Sequence, residues 1–183
     1  MRSNKILKNS LLLFVRLIAM TMVCFLSSTF VLMSSSTQLI RAFIQIACII
    51  VTMGVIYPTL HNLGGMDRNL ADAGIQKPNI LKGLFIGLIG NSPFIVSGIA
   101  LIVDKFYLFS DKYYGIYKLI NSIYYSLNSS IMPNDDTIFT VKWSAVIISV
   151  LMIFLMSVVC MFAYILGYYR FLFKENVFYK AKV

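Results

Sequence analysis

Few residues in this chain have side chains able to do chemistry, and most of those lie in one stretch. Residues 61–83 carry Gly64-Gly65-Met66-Asp67-Arg68-Asn69-Leu70, then Gly74-Ile75, then Lys82-Gly83, with Gly87 one turn further on. Asp67, Arg68, Asn69 and Asp72 put two acids, a guanidinium and an amide within six residues. Such a cluster suits a polar ligand or the charged loop of a partner at the cytoplasmic face. It also suits a purely structural post, with Asp67 accepting from the free amides that open a short helix and Gly74 closing it. The structural role is the simpler expectation.

The remaining candidates are sparser. His61 is the one histidine, without a second His, Cys or close carboxylate at helical spacing, so no metal site is expected. Cys24, Cys48 and Cys160 fall in apolar surroundings with no CxxC spacing and read as small apolar side chains. Asp135 and Asp136 follow Pro133-Asn134 and suit a turn. HExxH, GxSxG, P-loop and GxGxxG patterns are all missing. Catalysis is therefore the weakest reading, and no cofactor is expected.

The elements that must position these residues are of one kind. Of 183 residues, 59% are hydrophobic and 13% charged, with mean hydropathy +0.82. Soluble domains carry about a quarter charged residues, so this chain has too little polar surface to cover a water-soluble globule. Four runs, 17–40, 42–66, 83–103 and 143–169, hold no Asp, Glu, Lys or Arg. Each reaches the ~20 residues that a helix needs to cross a hydrocarbon core about 30 Å thick. The expected fold is an all-α integral membrane protein of one domain, with four transmembrane helices at about 11–33, 39–60, 80–103 and 143–166.

Arg2, Lys5 and Lys8 precede the first helix, and its apolar run continues to Met33, beyond the length of a cleaved leader. Arg16 lies inside it and is expected to reach back to the headgroups. Pro58 is expected to close the second helix, and Asn79 to cap the third. Within the third, Gly90-Asn91-Ser92-Pro93 signals a kink at Pro93, where Ser92 or Asn91 has to satisfy the freed carbonyl. Gly83 and Gly87, and likewise Ala163 and Gly167, have the four-residue spacing of close helix contacts. Gln45 and Asn91 are amides inside spans at similar depth, and a hydrogen bond between them is expected to hold the kinked helix in register. Between the last two spans, Ile116, Leu119, Ile120, Ile123 and Leu127 share one face and Lys118, Asn121, Ser122, Tyr125 and Ser129 the other. That segment, 113–131, is expected to lie as an amphipathic helix on the outer leaflet.

The net charge of +9 is not gathered into a patch, so nucleic acid is not an expected partner. Eleven of the 16 Lys and Arg residues fall on the side of the two termini; Arg41, Lys105, Lys112, Lys118 and Lys142 fall on the other. Both ends are therefore expected in the cytoplasm, with the plasma membrane as the location. The spacing of Gly65, Asp67, Arg68, Asn69, Gly74, Lys82, Gly83 and Gly87, with Leu166-Gly167-Tyr168, resembles small polytopic membrane proteins of low-GC Gram-positive bacteria. It departs from them at Asn79, where they carry an acid before the Lys-Gly pair. The resemblance implies topology and no activity. Two functions stay open: a non-catalytic accessory or assembly component, packed on a membrane-protein partner or a second copy of itself, and a small transporter or permease component.

Overall fold

The computed structural model describes residues 2–33, 38–75, 77, 79–107, 113–131 and 138–169. Every regular element among them is helical: α1 (Arg2–Met33), α2 (Gln38–Asp72), α3 (Lys82–Gly90), α4 (Ser92–Tyr107), α5 (Tyr113–Ile120), a 3-10 turn (Ser122–Tyr124), α6 (Tyr125–Ile131) and α7 (Trp143–Tyr168). Three of these are long and apolar enough to cross a membrane: Ile6–Phe30, Leu39–Asp72 and Trp143–Tyr168. The pair α3 and α4, bent by 62°, makes up to four if it counts as one broken span.

The second helix is longer than its sequence promises. Pro58 does not end α2, which continues through Gly64 and Gly65 to Asp72, 35 residues in all. A proline removes one donor from the helical ladder, and neighbouring helices restore such bonds in lipid. Arg16 reaches sideways from α1 to the Val55 carbonyl at 3.3 Å and to the Thr59 hydroxyl, next to the Gly54 carbonyl that Pro58 leaves without its helical donor. It braces the proline turn, where a return to the headgroups was expected. The glycines after the proline are held by packing: a Cβ on Gly64 would collide with the Tyr164 carbonyl of α7. Gly74 (φ +71°) does close the helix, with Ile75 N–H bonding Leu70 O and Gly74 N–H bonding Ala71 O at 3.0 Å each. Asp67 thus lies inside the C-terminal part of α2, five residues before its end, and does not open a helix.

The kink expected at Pro93 is a full break at Asn91. Pro93 has no N–H to give the Ile89 carbonyl four residues back, and the Ser92 hydroxyl donates to that carbonyl at 2.8 Å instead. Leu81 precedes α3 without a side-chain cap, so Asn79 does not cap it; its carbonyl accepts from Lys82 N–H at 3.2 Å.

Helix α7 is the axis of the bundle, packing most extensively on α2 and then on α3. Glycine makes this possible. Gly83 lies against Cys160 and Tyr164, Gly87 against Ser157 and Cys160, and Gly167 against the His61 backbone of α2. Small residues let helix backbones approach where no hydrophobic effect drives them together. Ala163 is buried in the same stretch of α7.

The segment 113–131 is turned opposite to expectation. Ile116 and Leu119 are 48% and 47% exposed, whereas Lys118, Asn121, Ser122 and Asn128 are buried. Much of its polar face points into the bundle, while Ile116 and Leu119 of the apolar face point outward and Ile123 is buried. Tyr117 OH donates to the Ser149 carbonyl of α7 at 3.1 Å, and Asn121 Nδ2 donates to Ser97 Oγ of α4 at 2.9 Å. Ser149 lies six residues into α7, so these bonds sit roughly 9 Å below its end at 1.5 Å per residue. The segment is a plug within the bundle, unlike a helix resting on a leaflet.

Candidate functional site: a buried ion pair

The sequence cluster of Asp67, Arg68, Asn69 and Asp72 divides when the helix forms. Asp67 faces inward. Arg68 and Asp72, one turn apart, pair on the surface at 2.9 Å, and the Arg68 guanidinium lies 5.6 Å from the centre of the Tyr168 ring. Asn69 sits between them along the chain and its carbonyl accepts from Ala73 N–H at 3.1 Å. The four residues therefore do not form one ligand-binding face.

Asp67 instead meets two residues that lie far from it in sequence. Lys82, the first residue of α3, places Nζ 2.5 Å from Asp67 Oδ2, and Tyr164 OH of α7 donates to the same oxygen at 2.7 Å. Asp67 is 5% exposed and Lys82 7%. Two glycines admit the tyrosine: a Cβ at Gly83 would strike Tyr164 Cβ, and one at Gly64 its carbonyl. Three helices are thus tied through one carboxylate oxygen. Charge-assisted bonds of this kind are stronger than neutral ones, and removing one partner strands a buried charge. Lys82 and Tyr164 were not recognisable as partners of Asp67 from the sequence. The available signal was a lysine standing directly against a charge-free run.

The intramembrane amides also find separate partners. Asn91, buried at the break between α3 and α4, turns its Nδ2 to the Ile153 carbonyl of α7 at 2.6 Å and towards Ser157 Oγ at 3.5 Å. Gln45 Nε2 donates to the Ile123 carbonyl in the plug. The expected Gln45–Asn91 bond is replaced by one lock on each side of the bundle. Pro93 lines two apolar grooves beside α1.

Among the described residues no group of three or more His, Cys, Asp or Glu side chains is placed to hold a metal ion. Asp67 has both its neighbours on one oxygen, in a closed contact with no cavity opening onto it among those described. What this arrangement can do is fix three helices against one another. Comparison with family models, curated proteins and solved structures finds no match for this chain.

Proposed function

We propose that this chain is a non-catalytic, multi-pass component of the plasma membrane, built to pack as an accessory or assembly subunit. The observation that carries this reading is the use made of its polar groups within the helices. Lys82 and Tyr164 both bond Asp67, Asn91 bonds α7, and Gln45 bonds the plug. They tie helix to helix, as a scaffold requires, where a conduit would keep them turned towards a path.

Four crossings belong to the same proposal. The bent pair follows α7 from Gly83 beside Tyr164 to Phe106, whose ring centre lies 4.8 Å from that of Trp143. Those two contacts bracket α7 almost from end to end, which favours one broken span over a re-entrant loop. With four crossings, the eleven positive charges gathered on the terminal side favour cytoplasmic N- and C-termini.

Purification in mild detergent tests the subunit reading. A stable complex larger than the protomer, containing a second membrane protein or a second copy, is the expected result. A transporter component is the second reading, favoured by the broken α3–α4 helix, since discontinuous helices often form transport sites. A monodisperse protomer stabilised by a transported solute would replace the first reading with the second.

A further inference from the structure

Arg16 is a cation within a candidate span, and the groups it bonds are neutral. It meets α2 at Val55 and Thr59, twelve and eight residues before Asp67, which puts it roughly 12–18 Å inward of the Asp67–Lys82 pair at 1.5 Å per residue. A charge at that depth is costly unless it faces a polar cavity or a counter-charge. Such a polar recess is present, as a cavity open along one side. It measures about 340 Å³ and lies between α1 and α2, with Arg16, Asn9, Thr59 and Asn62 supplying its polar wall and Leu63 and Met66 part of its apolar wall. Among the described residues no carboxylate lines it.

The polar wall runs along the cavity. Asn9 lies seven residues before Arg16 on α1, and Asn62 lies three beyond Thr59 on α2, so two amides stand between the guanidinium and the ends of the helices that bear the Asp67–Lys82 pair. The guanidinium directs Nη1 to Val55 and Thr59, and its planar fork carries further donors suited to two oxygens at once. Bracing the Pro58 turn accounts for Nη1. It accounts for neither the cavity nor the two asparagines.

We propose that this cavity binds an oxyanion of the phosphate type, its charge met by Arg16 and its oxygens by the Asn9 and Asn62 amides. The source is the headgroup of an anionic phospholipid, drawn in beside α1, or a free phosphate entering from the same end.

The test uses the full chain in detergent, melted with inorganic phosphate, with phosphatidylglycerol, and with phosphatidylcholine of the same acyl chains. At about a hundredfold excess over the dissociation constant, a bound anion is expected to raise the Tm by roughly 5 °C. A rise with inorganic phosphate identifies a soluble ligand, and a rise with phosphatidylglycerol alone identifies the lipid. Arg16→Gln and Asn62→Leu are each expected to abolish the rise. Asn62→Leu leaves the Arg16–Thr59 bond in place and decides the matter if Arg16→Gln fails to fold. Equal shifts with the two lipids and none with phosphate, or a full shift in Asn62→Leu, would overturn the site.

Discussion

Lys82 Nζ stands 2.5 Å from Asp67 Oδ2, with both side chains buried and Tyr164 OH on the same oxygen. Fifteen residues separate the pair in sequence, and the closure of α2 at Gly74 lies between them. Stranding one buried charge costs about 3–5 kcal/mol, whereas replacing both with apolar residues of similar volume is often neutral. Asp67→Leu and Lys82→Met are each expected to destabilise the protein by that amount, and the double variant by much less than the sum. Unfolding in detergent measures the coupling; additive losses would remove the pair as a lock.

The glycine seam predicts opposite outcomes for two substitutions on one helix. Gly64→Ala drives a Cβ into the Tyr164 carbonyl, while a Cβ at Gly54 meets nothing within 4 Å. Gly64→Ala is expected to lose about 1–3 kcal/mol through overpacking. Gly54→Ala is expected to be neutral or to gain up to about 1 kcal/mol from helix propensity. Thermal unfolding of the two variants side by side gives the comparison, and equal effects would contradict the seam.

Gln45 and Asn91 bond different partners, so their losses are expected to add. Gln45→Leu and Asn91→Leu together should match the sum of the singles within about 0.3–0.5 kcal/mol. Asn91→Leu with Ser157→Ala should instead couple, by about the 0.6 kcal/mol typical of transmembrane polar pairs. Double-mutant cycles read by unfolding separate the two cases.

Asn128 is fully buried in α6, and among the described residues neither polar atom of its amide has a hydrogen-bond partner. A buried amide left unsatisfied costs about 1–3 kcal/mol, and an apolar residue of similar shape avoids that cost. Asn128→Leu is therefore expected to raise the Tm by roughly 2–4 °C or more. A fall in Tm would mean that the plug does not bury this side chain. In the same segment, cysteines replacing Ile116 and Leu119 should react with a lipid-soluble maleimide, and cysteines at Asn121 and Asn128 should resist it. Reaction of the cysteines at Asn121 and Asn128 with a water-soluble maleimide would instead restore the surface-helix orientation.

The sequence by itself determined what depends on near neighbours. Charge-free runs long enough to cross a bilayer specified helices, because lipid leaves a backbone no other way to satisfy its amides. Pro93 and Gly74 marked a break and a stop for equally local reasons, a missing N–H in one case and a left-handed φ in the other. Four small residues at spacings of four, Gly83, Gly87, Ala163 and Gly167, identified faces that the bundle buries or packs closely.

Tertiary structure decided the rest. Pro58 does not stop α2: Arg16 of α1 clasps the turn at Val55 and Thr59, and Gly64 beyond it lets α2 pack closely on α7. Asp67 reads as a helix cap until a tyrosine 97 residues away takes its oxygen. The pattern over 113–131 contains two faces but not their direction. Water calls the polar face outward, whereas a segment seated among helices turns Lys118, Asn121 and Asn128 inward and leaves Ile116 and Leu119 outside. Periodicity is a property of the chain; which face is buried is set by what surrounds it.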